Sequence, residues 1–164
     1  NIENIYAIGD VIGGWLLAHV ASHEGVKAAE NICGLSSRIS YKAVPSCVFT
    51  DPEVASVGLS EEKAKTMNFD LMIGRFPFKS HGKSRILDET EGLIKVVMDK
   101  KEKTILGAQI LGYDASELIA TFTSLINAGL KIEDIKEIIF AHPTISEAIG
   151  EAILSTQKSA IHIL

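Results

Sequence analysis

The chain has 164 residues, 46% of them hydrophobic and 23% charged, with a formal net charge of −5. At this length a folded domain buries about 68–70% of the surface its unfolded chain exposes, so a real core is expected and general disorder is excluded. The acidic balance, with lysines and glutamates interspersed, argues against a nucleic-acid-binding surface, and no apolar run approaches the ~18 residues of a membrane span.

The chain opens at Asn1 without a methionine and enters an apolar run within a few residues, which reads as a cut through a longer protein. With no signal peptide, the expectation is a soluble, cytoplasmic protein. Cys33 and Cys47 form no close-spaced motif, and both are expected to be small buried hydrophobes.

Ile5 to Ile8 reads as a short buried strand that ends at the Gly9-Asp10 turn. After Gly13-Gly14, a helix is expected from Trp15 to about Cys33. Leu16, Leu17, Val20 and Val26 would form its apolar face and Gly34 its C-terminal cap. His19 and His23 lie four apart beside Glu24, but they supply two of the usual four zinc ligands and no second cluster is visible, so no metal is expected. Ser36 to Ala43 is polar and aperiodic, and a domain boundary is placed near residue 41.

Beyond that boundary, Val44 to Thr50 and Val54 to Val57 read as strands, and Ser60 caps a short helix to about Met67. Leu71 to Phe78 is the next strand, and Ser80 to Arg85 reads as a solvated basic loop. Leu93 to Met98 and Thr104 to Leu111 form a hairpin around a loop of roughly five residues. Leu118, Ile119, Phe122, Leu125 and Ile126 repeat at helical spacing up to Gly129, and Glu133 to Ile139 reads as a second helix or turn. Strands, a hairpin and then helices argue for an α+β fold with a mainly antiparallel sheet.

Near the end stands Ala141-His142-Pro143-Thr144-Ile145-Ser146-Glu147. Pro143 disfavours helical geometry at His142, so the imidazole projects from a turn. Thr144 and Glu147 have the spacing of a capping box. A carboxylate on one ring nitrogen would fix the tautomer and leave the other nitrogen as a base. In the plainer reading Glu147 only caps a helix and His142 only occupies a turn. The final Ile161-His162-Ile163-Leu164 is apolar enough for a partner subunit to cover it.

Four segments in order, IYAIGD, LLAH, VPSCVFTDPEVASVG and HPTISEA, resemble the flavin disulfide reductases, and within them the dihydrolipoamide dehydrogenases. The resemblance covers essentially the whole chain. It implies that residues 1–40 are the C-terminal remnant of an FAD-binding domain, a strand and a helix, and that 41–164 are the dimerisation domain. Asp10 would bind the FAD ribitol, and Leu16, Leu17, Ala18 and His19 would lie against the flavin ring. Trp15 departs from the proline common in relatives.

The resemblance further implies that His142 is the acid–base for the dithiol and Glu147 its orienting partner, acting on the disulfide of the opposite subunit of a homodimer. FAD and NAD would serve the intact enzyme, whose partner would be the lipoyl domain of a 2-oxo acid dehydrogenase complex. The chain has no GxGxxG and no redox cysteine pair, so by itself it is expected to be inactive and to hold no cofactor. A glutathione- or mercuric-type reductase, or a non-catalytic dimerisation module, are the alternatives.

Overall fold

A computed structural model describes residues 2–163, and the chain divides into two units, Asn1–Val44 and Pro45–Leu164.

In the first unit Ile5 to Ile8 is extended but is not a strand. Backbone groups make a strand only when a neighbouring ladder takes them up, and no described segment pairs with this one. A 3-10 turn, Gly9–Ile12, follows, entered through Gly9 at φ 74°. Helix α1 spans Ala18–Ile32, starting three residues later than expected. It ends as its sequence indicates: Gly34 takes φ 82°, its N–H bonds the Asn31 carbonyl at 3.0 Å, and the Leu35 N–H bonds the Glu30 carbonyl at 2.9 Å. Only glycine adopts that left-handed geometry without cost, which is why the helix stops there. Of the expected apolar face Val20 alone is buried, while Leu16 and Val26 are exposed. The unit does not by itself cover its apolar residues.

The second unit is built on five antiparallel strands: β1 (Pro45–Val48), β2 (Glu53–Gly58), β3 (Leu71–Pro77), β4 (Leu93–Asp99) and β5 (Ile105–Gly112). Their order is β1-β2-β5-β4-β3. The expected hairpin is β4–β5, with Ile94 opposite Ile110 and Val96 opposite Ala108. Between β2 and β3 lies α2, Glu61–Thr66, where Ser60 accepts the Lys63 N–H at 3.1 Å. This is the side-chain cap that its position called for.

Helix α4, Ala115–Ala128, buries Leu118, Ile119, Phe122, Leu125 and Ile126 against β2 and β5, and Gly129 closes it at φ 64°. A single turn, α5, covers Ile132–Ile135, shorter than expected. The last helix, α6 (Glu147–Ser155), packs on β3 and β4. Gly74 of β3 allows this approach, since a Cβ there would collide with the Ala152 carbonyl oxygen. Phe76, Ile94, Met98, Ile110, Phe122, Ile149 and Ile153 fill the core.

Two further expectations fail. Residues 80–85 are not a solvated loop: Phe78–Ser80 is a 3-10 turn and Gly82–Leu87 is a helix, α3. His81 caps α3 through Nδ1 and is 6% exposed, its ring set edge-on to Phe76 at 6.1 Å between centroids. The cap and the ring contact override the polar composition. The cysteines are not both buried either, since Cys33 is exposed and Cys47 half-buried. Cys33 occupies the C-cap of α1, where a helix end faces outward.

Candidate functional site

His142 sits between α5 and α6 in the segment that Pro143 keeps out of helix. Its Nδ1 lies 2.9 Å from Glu147 Oε1, and the other carboxylate oxygen, Oε2, accepts the Thr144 N–H at 2.8 Å. Half of the expected capping box therefore forms. The other half does not, because the Thr144 hydroxyl turns back to donate to the Ala141 carbonyl at 2.7 Å. The helix starts at Glu147, so Thr144 fixes the turn instead of the helix end.

Burial would raise the Glu147 pKa, but hydrogen bonds from the Thr144 N–H and from His142 outweigh it and hold the carboxyl below its ordinary value. It is therefore an anion at neutral pH. An anionic acceptor at Nδ1 selects the tautomer with its proton there, which leaves the Nε2 lone pair outward. The His142 side chain is 82% exposed against 26% for Glu147. The pair has a fixed base and an accessible ring, as a proton acceptor requires.

His142 and Glu147 line a cleft of about 380 Å3. Its walls include His81, Ile135, Phe140, Glu151 and His162. Chiefly burial, with smaller opposing effects from Glu147 and Glu151, lowers the His81 pKa, so its ring is held neutral. Sequence reasoning missed His81, Glu151 and His162 as neighbours of this site. Glu151 carried one available signal, its place four residues after Glu147 on the same helical face. His81 carried none, because its burial depends on strands distant in sequence.

The remaining expected site residues belong to the first unit. Asp10 is exposed within the 3-10 turn, Leu16, Ala18 and His19 are exposed, and Leu17 is half-buried. At the start of α1, Leu17 makes no side-chain cap and the first turn holds no acid. Glu24 braces the turn. Its oxygens accept the Gly9 N–H and the Tyr41 hydroxyl, each at 2.7 Å, and these bonds, Gly9 first, keep its pKa low. Among the described residues, no group of three or more His, Cys, Asp or Glu is arranged to hold a metal ion. No helix there is long and apolar enough to cross a membrane.

Comparison with known proteins places this geometry in context. Residues 44–153 match the family model of the pyridine nucleotide-disulphide oxidoreductase dimerisation domain. The whole chain is 44% identical to dihydrolipoyl dehydrogenases from Halobacterium salinarum and Geobacillus stearothermophilus, and in each case spans 35% of the relative's length. Among solved structures, the HOCl-induced flavoprotein disulfide reductase RclA from Escherichia coli aligns with a TM-score of 0.85 at 30% identity, over 92% of this chain and 35% of that one. With its five-stranded antiparallel sheet and helices, this chain belongs to the pyridine nucleotide-disulphide oxidoreductase family, of which it carries the dimerisation domain.

Proposed function

We propose that this chain is the C-terminal part of a cytoplasmic dihydrolipoyl dehydrogenase, supplying the dimer interface and the acid–base pair His142–Glu147. The observation that carries the reading is the 2.9 Å contact of His142 Nδ1 with a carboxylate that the Thr144 N–H also holds. The 44% identity to dihydrolipoyl dehydrogenases favours that activity over a glutathione- or mercuric-type reductase.

Dithiol oxidation by a protein disulfide needs a thiolate, because the neutral thiol is a poor nucleophile. His142 Nε2 takes a substrate thiol proton. The thiolate then attacks one sulfur of the enzyme disulfide, which lies outside these 164 residues, and breaks the S–S bond. The imidazolium passes that proton to the enzyme thiolate released, and Nε2 then takes the proton of the second substrate thiol. The new thiolate attacks the substrate sulfur of the mixed disulfide, closes the substrate S–S bond and releases the second enzyme thiolate, which His142 protonates. The substrate leaves as a disulfide, and the enzyme keeps two electrons as a dithiol. Glu147 stabilises the imidazolium formed in the first step and keeps the ring in its reactive tautomer.

The first unit fits FAD. Asp10 offers an exposed carboxylate for a ribitol hydroxyl, and the positive end of α1, which begins at Ala18, suits an electron-rich ring edge. When bound, FAD carries the electrons onward to NAD. A second copy of the chain would cover Phe49 and Ile139, which are 79% and 95% exposed in the second unit. In the homodimer His142 would serve the partner's disulfide, and the lipoyl domain of a 2-oxo acid dehydrogenase complex would deliver the dithiol.

In the full-length enzyme, His142→Ala is expected to lower dihydrolipoamide-dependent NAD reduction by about 10²–10⁴-fold while FAD content stays at wild-type level. Near-normal turnover would remove His142 from the mechanism.

A further inference from the structure

Glu151 is a buried carboxylate, 8% exposed, that the His142–Glu147 chemistry does not use. Among the described residues, all hydrogen bonds of its carboxylate go to the C-terminal tail. Oε2 accepts the Ile161 N–H at 2.9 Å and the His162 N–H at 3.0 Å, while Oε1 lies 3.1 Å from His162 Nδ1. Burying a carboxylate is unfavourable unless its lone pairs are taken up, and here three tail donors take them up. Just before this stretch of tail, Ser159 donates its N–H at 3.1 Å and its hydroxyl at 3.0 Å to the Leu154 carbonyl, and Glu151 holds the two residues Ile161 and His162. Ile161 is 77% exposed, so apolar packing does not hold it in place.

The arrangement repeats that of the adjacent pair one turn earlier on α6. Glu147 holds the Nδ1 of His142, Glu151 holds the Nδ1 of His162, and both imidazoles line the same cleft. Carboxylates at i and i+4 share a helix face. The His162 side chain is 67% exposed, so its ring is fixed by one nitrogen and open to the cleft by the rest.

We propose that Glu151 is a positioning residue, which clasps the tail so that His162 forms a fixed wall of the cleft and governs how tightly a dithiol substrate is seated beside His142. This rests on the dithiol-oxidation reading given above. The clasp acts on substrate seating and not on proton transfer, because Glu151 touches only the tail whereas Glu147 touches His142. A fixed wall contributes equally to the bound substrate and to the transition state, so its loss raises KM and leaves kcat.

The test uses three full-length variants: Glu151→Gln, which keeps the shape of the side chain, the exposed His162→Ala, and the two combined. Expected is a KM for dihydrolipoamide raised about five- to tenfold in each, kcat within about twofold, and the KM for NAD unchanged. The double variant should be no worse than either single one, as for two residues acting through one contact. Amide exchange at Ile161 and His162 should accelerate at least about tenfold in Glu151→Gln, a readout independent of turnover. An unchanged KM in His162→Ala, with only thermal stability lost in Glu151→Gln, overturns the proposal and leaves Glu151 as a tail anchor. Unchanged amide exchange overturns the clasp itself. Should His142→Ala retain turnover, the dithiol reading fails instead, and the amide exchange still decides the clasp.

Discussion

The division of labour proposed for His142 and Glu147 sets what each substitution should cost. In that proposal His142 handles the proton, so its loss removes the step. Glu147 would orient and stabilise the ring, and a partner of that kind costs less to remove. Glu147→Gln in the full-length enzyme should lower kcat by about 10- to 100-fold, short of the His142→Ala loss, because an amide still accepts one hydrogen bond but carries no charge. Glu147→Ala should also destabilise the turn by about 1 kcal/mol, since the Thr144 N–H loses its acceptor, and thermal unfolding checks that difference. Glu61 is a second carboxylate whose charge can be followed. Lys65 foremost, then Lys95, pushes its pKa down to about 2. A depressed folded pKa means that the stabilisation is present above the unfolded pKa and fades as pH falls from about 4.5 towards about 2. The network is partly exposed, so its contribution is under about 1 kcal/mol. Urea midpoints between pH 2 and 6 should fall less steeply in Glu61→Gln than in wild type.

Elements whose signals are local were legible in the sequence. The β4–β5 hairpin, the Ser60 cap of α2 and the Gly129 stop of α4 each rest on residues within a few positions, and each forms as read. The His142–Glu147 contact was legible for the same reason, since five residues and a proline dictate it. Elements that depend on a remote partner were not. Ile5 to Ile8 has the composition of a strand but pairs with no described segment, and residues 80–85 look polar although Phe76 and the α3 cap draw His81 inward. Thr144 shows the limit of motif reading, because its hydroxyl finds the Ala141 carbonyl and forgoes the cap. Close packing adds a constraint that no pattern displays. Gly74 reads as an ordinary strand residue, yet the α6 backbone occupies the space of its missing side chain. Gly74→Ala should therefore cost about 1–3 kcal/mol by forcing α6 outward, measured as a lower denaturation midpoint. Since α6 carries Glu147 and Glu151, the same variant should also lower activity in the full-length enzyme.

At the scale of the molecule, the sheet serves to hold α6 and the His142 turn in a fixed relation, and Phe49 and Ile139 each expose apolar area that the proposed second copy would cover. A dilution series followed by light scattering should find the 164-residue chain dimeric at micromolar concentrations. A monomer throughout would mean that further domains are needed to hold the dimer. By itself the chain should show no lipoamide-dependent NAD reduction, because the redox disulfide is not among its residues. In the proposed mechanism His142 is the base for the thiol and for nothing else. Rapid mixing of the full-length enzyme separates that role from general damage, because reduction by dihydrolipoamide requires thiol deprotonation whereas reduction by NADH does not. His142→Ala should slow the first by orders of magnitude and leave the second within about twofold. Equal rates with both reductants, or equal losses, would contradict it.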